Sequence, residues 1–399
     1  MEAFALDWLN LLARWLHLVA GIAWVGSSFY FVWLDNHLKT PRELADINKG
    51  VGGEVWSVHG GGFYHAQKYK AAPGQFPDSL HWFKWEAYTT WLSGMFLLAL
   101  VYWYGAGLYL IDPVVSDISQ PVAVLAAAGF ILGGWLVYDL LCRSPLGVND
   151  TALSGIVLVL VGVLAWALCT TFSGRGAFIH FGAVLGTIMV ANVFFVIIPG
   201  QKKMVAAAER GQVPDPVPGI RGKQRSVHNT YFTLPVLFTM TSSHFPVTYG
   251  HEFNWVILVG ITLAGALIRI YFVARHKGAA SLAPVVIAGL ILIAMAVFTM
   301  PKQRTAGDLG LTQFSEIRDI VQQHCTNCHS ATPTHPAFPA APAGVILDSD
   351  RQIQAEASRI HQQVVITRAM PLGNLTRMSE DERGSLERWY LASAKKPTK

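Results

Sequence analysis

An all-α fold is expected of this chain: eight membrane-crossing helices in a bundle, followed by a small helical C-terminal domain. Three observations point there. Hydrophobic residues make up 52% of the chain and charged ones only 14%, with 13 Trp. Uncharged stretches long enough to cross a hydrocarbon core of about 30 Å occur only before Pro301. Lys and Arg are distributed unequally between alternate connections.

Taken in order, the apolar stretches lie near 8–34, 87–111, 121–141, 151–172, 176–199, 230–247, 253–274 and 279–300, each bounded by Gly, Pro or charge. The sixth is short, contains Pro235 and ends in Thr, Ser and His, the pattern of a broken or re-entrant helix buried by its neighbours. Paired glycines four apart, Gly129 with Gly133 and Gly182 with Gly186, suit close helix packing. Cys142 and Cys169 read as apolar core residues near helix ends.

Connections 35–83, 142–150, 199–229 and 275–281 hold five, one, six and two Lys or Arg, whereas the N-terminal heptapeptide and the connections between them hold only Arg175. The positive-inside rule therefore predicts that the N-terminus and everything after the eighth helix face the periplasmic side of a bacterial inner membrane. No basic n-region precedes the first apolar stretch, so it is expected to be a retained helix rather than a signal peptide. The net charge of +5 is then a matter of topology, and no nucleic acid is needed to explain it.

After residue 300 the chain turns polar. Residues 301–316, with Gly307 and Gly310, suit a linker, and 317–399 a separate domain. There Cys325-Thr326-Asn327-Cys328-His329 follows a predicted helix. Two thiols at i and i+3 share one helical turn and can add to the vinyl groups of haem, and the adjacent imidazole can ligate iron. A disulfide, a zinc knuckle or a thioredoxin-type motif would want a second cysteine pair or a βαβ surround, and the sequence shows neither. A class I-type cytochrome c domain carrying one covalent haem c is therefore expected, with Cys325, Cys328, His329 and Met370 binding the group and His329 and Met370 as its iron ligands. Met370 precedes a proline that favours an extended loop, and Met378 is its competitor. His324, His335 and His361 read as surface residues. Haem attachment of this kind belongs outside the cytoplasm, which agrees with the charge asymmetry.

Polar groups inside the apolar stretches are costly and hence usually functional. In the first helix Arg14, His17, Gly21, Trp24 and Ser28 fall on one face by the three-and-four spacing. Entering near Trp8, that helix should carry His17 roughly 14 Å in, within the outer half. The first long connection holds Glu54, His59, three glycines and His65, suited either to a flexible turn or to close approach by a flat ligand. It continues to Lys84 and Glu86 at the foot of the second helix. Asp139 and Arg269, near the other end, suit salt bridging. His17, His180 and His244 are candidate axial ligands of a non-covalent haem b.

Arg14 to Ser28, Val58 to Tyr69, Trp82 to Glu86 and the terminal Cys-x-x-Cys-His together make the whole chain resemble the bacterial integral-membrane cytochrome c urate oxidases. That resemblance implies oxidation of urate to 5-hydroxyisourate with oxygen from water. Electrons would pass to haem c and then to a soluble cytochrome or terminal cytochrome c oxidase, without hydrogen peroxide. Urate is a planar anion, so its pocket wants a cation and aromatic faces, which Arg14 with Trp24, or Lys84 with Trp85, can supply. Its oxidation also wants a base, for which His17, His59 or His65 is suited, with Glu54 or Glu86 as substitutes. The two clusters lie toward opposite faces, and the outer one is nearer the expected haem. The alternative is a membrane-anchored, quinol-linked cytochrome module without urate chemistry.

Overall fold

A computed structural model of the chain describes residues 2–74, 76–275, 281–300 and 312–394. Helix dominates. Helices occupy each of the eight apolar stretches: α1 (Glu2–His37), α2 (Trp85–Leu97, prolonged by a π-helical turn, Leu98–Trp103), α3 (Gln120–Arg143), α4 (Asp150–Thr171), α5 (Gly174–Glu209), α6 (Pro216–Ser242), α7 (Asn254–Arg275) and α8 (Ala283–Phe298). Among the described residues α1, α3, α4, α5 and α7 are long and apolar enough to cross a membrane, and α8 is a shorter apolar helix.

Side chains at the helix starts explain where several begin. Asn149 accepts from Thr151 N and Ala152 N at the head of α4, Ser173 from Gly176 N at α5, and Asp215 from Val217 N at α6. In α5, 67% of the most apolar window is buried, against 11% in α1, so α5 is the hub and α1 lies on the periphery. A second π-helical turn, Asn192–Ile197, interrupts α5.

Three expectations are corrected here. The sixth helix is neither broken nor re-entrant: α6 runs unbroken through Pro235 and begins at Pro216, inside what reads as a connection. Its packing explains this, since a Cβ at Gly265 of α7 would come 3.1 Å from both Leu234 and Pro235, so the proline is held by a close neighbour. The fold is not purely α-helical. Val51–His59 (β1) and Gly62–Tyr69 (β2) pair antiparallel, turning through Gly60 and Gly61 at φ of 56° and 80°. Positive φ at two successive positions is what a tight hairpin turn requires, so these glycines serve a turn. Only part of the glycine packing appears: Gly182 meets Thr239, but a Cβ at Gly129, Gly133 or Gly186 would touch nothing.

The C-terminal domain packs α9 (Phe314–His324) against α10 (Glu380–Ala394) around Ile317, Val321, Ile353, Met378, Leu386 and Trp389. Residues 301–311 of the expected linker lie outside the described residues. The domain is seated on the bundle. Arg377 pairs with Asp117 at 2.9 Å, and a Cβ at Gly373 would lie 2.8 Å from Leu108 O and 3.0 Å from Ile111 O. Gly250, between α6 and α7, closes against Thr367 O. The bundle thus has a docking end, at the N-terminus of α5, and a hairpin end, at its C-terminus.

Candidate functional site

The motif Cys325 to His329 caps α9. The amide of Cys328 donates to Cys325 O at 3.1 Å and that of His329 to the same oxygen at 2.8 Å, which winds both thiols onto one turn. Both thiols are free. Burial pushes Cys325 up to about 12, with Cys328 adding to it, and burial also raises Cys328. His329 Nδ1 lies 3.1 Å from Val345 O, a contact that fixes the ring and leaves Nε2 as the nitrogen free to bind a metal.

The two methionines separate by environment. Met378 is 2% exposed within the domain core, where its sulfur packs, whereas Met370 lies at the margin of that core. Arg383, which sequence reasoning passed over, holds the Met370 loop from below, donating Nη1 to Met370 O at 2.9 Å and also to Val364 O. The donor set fits a covalent haem: two thiols on one turn, an oriented imidazole and a loop-borne thioether. His324 departs from its expected surface place. It is 5% exposed and its nitrogens meet Thr376 Oγ1 at 2.7 Å and Glu382 Oε1 at 3.0 Å, tying α9 to α10.

Directly beneath the docked loop lies a polar aromatic cluster. Tyr109, between the Leu108 and Ile111 carbonyls that Gly373 approaches, is covered by the Arg175 guanidinium at 4.8 Å. Arg175 Nε donates to Tyr102 OH at 3.3 Å. Tyr102 stands edge-on to His180 at 5.9 Å, and Trp103 Nε1 donates to His180 Nε2 at 3.2 Å. His180 Nδ1 donates to Gly176 O at 2.8 Å, so the imidazole is neutral with both nitrogens used. The π-helical turn places Tyr102 and Trp103 here, a distortion common at functional sites.

On α1, Arg14 faces toward this cluster and His17 lies a helical turn further from it. Arg14 Nε donates to Asn10 at 2.7 Å, and its charge reaches the Tyr102 hydroxyl. His17 Nδ1 lies 3.0 Å from Thr90 O and 3.1 Å from Ser93 Oγ, and its ring fills the space left by Gly94. Thr90 and Ser93 are early in α2, roughly 8 to 12 Å from the hairpin end. His17 therefore meets α2 in its hairpin half. Trp24 is packed between the main core and the small cluster about Ala87.

The other candidates gather at the hairpin end but do not form one pocket. Glu54, 7% exposed, accepts from Arg42 N at 3.0 Å and meets His65 Nε2 at 2.8 Å, while Trp56 stacks on His65 at 4.2 Å. That pairing holds the hairpin. His59 is exposed at the turn, away from it. Lys84 lies over Trp85 at 5.5 Å, and Glu86 lies 3.8 Å from His81.

A haem b between His17, His180 and His244 does not fit these residues. His180 has no free lone pair, His17 faces α2, and His244 is exposed beyond the end of α6.

A buried network in the hairpin half was missed because three of its members, Arg225, His228 and Asn229, read as a connection. Arg225, 3% exposed, donates to Asp139 at 2.9 Å and to Asn192 at 3.1 Å. Asn192 donates to Asn229 at 2.8 Å and to Tyr138 OH at 3.2 Å, and that hydroxyl meets His228 at 2.8 Å. The spacing of Arg225, His228 and Asn229, three and four apart, was the available signal. Asp139 is salt-bridged as expected, also to Arg143 at 2.6 Å, but Arg269 has no such partner among the described residues.

Fold and site together define a mostly helical protein in which membrane-length apolar helices support a Cys-x-x-Cys-His domain docked at one end. Residues 3–300 match the urate oxidase N-terminal family, and the chain belongs to that family. No curated protein and no solved structure matches it.

Proposed function

We propose that the chain is a membrane-bound urate oxidase whose substrate site lies at the docking end, with electrons leaving through its own C-terminal domain. The seat of the Met370 loop on Leu108 to Ile111, directly above Tyr109 and Arg175, carries this reading. The reaction is urate plus water giving 5-hydroxyisourate, two protons and two electrons. Arg175, bonded to Tyr102, supplies the cationic edge for the urate anion, and Tyr102, Tyr109 and Trp103 supply faces for stacking. His180, already committed at both nitrogens, positions Trp103. His17, turned to Thr90 and Ser93 roughly 14 Å or more along α2 from Tyr102, is not one of the groups of this site.

Cys325 and Cys328 would hold haem c by thioether bonds, and His329 and Met370 would bind its iron. Bound there, it supplies a one-electron acceptor whose potential a thioether ligand raises. The eight helices, with connections 35–83, 142–150, 199–229 and 275–281 in the cytoplasm, would set this domain on the periplasmic side. A soluble cytochrome or terminal cytochrome c oxidase would drain it, and no hydrogen peroxide would form.

The test is anaerobic. Full-length, haem-loaded protein is mixed with urate in the absence of quinol, and the reduced α-band is followed. Urate should reduce the haem and yield 5-hydroxyisourate. Arg175→Gln should raise the urate KM by roughly tenfold or more, the worth of a charged hydrogen bond, with dithionite reduction unchanged. A haem that dithionite reduces and urate does not would overturn the proposal and favour the quinol-linked module.

A further inference from the structure

Arg269 stands on α7 at 4% exposure, its guanidinium 4.1 Å from the centre of the Phe29 ring on α1 and 5.8 Å from that of Phe272. Among the described residues neither Nε nor Nη2 has a hydrogen-bond partner. Those two nitrogens form one edge of the guanidinium. Their N–H bonds run nearly parallel, as a fork that grips two oxygens of one anion.

Leaving such a charge buried and unanswered is strongly destabilising. Arg225 shows the alternative in this same bundle, because Asp139 and Asn192 answer it. Polar groups of α1 do not answer Arg269: Asp35 is engaged by Lys68 at 2.7 Å, and Asn36 turns its amide nitrogen to Phe272 O at 3.2 Å while its own buried Oδ1 makes no bond among the described residues.

The position indicates the source of the missing anion. Phe29, Ile270 and Phe272 are 36%, 37% and 39% exposed, so the seam between α1 and α7 opens on the outer surface of the bundle. Arg269 precedes the last residue of α7 by six positions, roughly 9 Å of helix, a depth that a lipid phosphate drawn inward can reach. Lys39 and Arg275 stand at the same end and attract anionic headgroups.

We propose that the Nε–Nη2 edge of Arg269 binds an oxyanion presenting two adjacent oxygens, the phosphate of an anionic phospholipid entering the seam between α1 and α7, with Phe29 backing the guanidinium. Free phosphate offers the same chemistry, and the experiment separates the two sources.

Haem-loaded full-length protein is delipidated in a neutral detergent. It is then titrated with phosphatidylglycerol, phosphatidylcholine or inorganic phosphate, and followed by native mass spectrometry and thermal unfolding. Phosphatidylglycerol should leave one retained adduct per chain and raise Tm, while phosphatidylcholine does neither. Arg269→Met should weaken the adduct by roughly tenfold or more. Without lipid, that variant should be at least as stable as the wild type, since an unpaired charge has been removed. Arg269→Lys, with the charge but not the fork, should retain less lipid than the wild type. Stabilisation by inorganic phosphate with the same dependence on Arg269 would support the oxyanion site and assign it to the free anion. Equal retention of the two lipids, or equal binding by wild type and Arg269→Met, would overturn the proposal.

Discussion

Met370 and Met378 illustrate how one residue type divides into two roles by burial. Met378 fills the core of the C-terminal domain, whereas Met370 sits at its margin on a loop that Arg383 holds by the backbone. Substitution should therefore separate them. Met370→Ala is expected to lower the haem midpoint potential while mass spectrometry still finds the covalent haem. Met378→Ala should leave the potential in place and cost about 2–5 kcal/mol of domain stability in denaturant unfolding. A potential unmoved by Met370→Ala would assign the axial position to another residue. Histidines divide in the same way: His329 is held by Val345 O, His324 bridges helices, and His180 anchors an indole.

At the scale of elements, the joint between α9 and α10 is held by a polar pair as well as by apolar packing. Glu382 Oε2 accepts from Ser379 N at 2.7 Å, a capping arrangement at the head of α10, while Oε1 meets His324. Burial acts to raise this carboxyl, but the bonds from Ser379 and His324 outweigh it and hold it below its ordinary value of 4.5. A carboxylate held down in the folded state stabilises above its unfolded pKa, and that stabilisation is lost as pH falls through the folded value. Domain stability, read from chemical unfolding, should thus fall as pH drops below about 4.5, and Glu382→Gln should flatten that decline. An unchanged slope in the variant would assign the acid sensitivity elsewhere. The hairpin follows the same logic by different means, since Glu54, His65 and Trp56 lock two strands across a glycine turn.

Across the whole molecule, the decisive contact is the seat of the C-terminal domain on the bundle. Gly373 has φ of 58° and its α-carbon faces two backbone carbonyls, Leu108 O and Ile111 O, which cannot swing aside as a side chain would. Gly373→Ala should therefore lift the Met370 loop from the bundle. Urate-dependent haem reduction should slow by roughly tenfold, a change of about 1.4 kcal/mol in the barrier, while dithionite reduction is unaffected. Stopped-flow absorbance would measure both, and equal urate-driven rates in variant and wild type would mean that this seat does not serve electron transfer.

Much of this was legible in the amino-acid order, for reasons that are local. An apolar run as long as Asp150–Thr171 can satisfy its backbone in lipid only as a helix, and Cys-x-x-Cys-His needs only one turn to set its donors. Arg14, His17 and Trp24 were likewise legible as a stripe, because helical spacing alone puts them on one face. What tertiary structure alone decided is which distant groups meet. Arg225 reads as one more basic residue in a connection until α6 extends back to Pro216 and brings it to Asp139. Arg175 reads as a lone exception to the charge pattern until Tyr102 and Tyr109 close around it. Hydrophobic length and charge asymmetry act along the chain, so sequence determines the helices. Pairing energies act between segments far apart in sequence, so only packing determines the site.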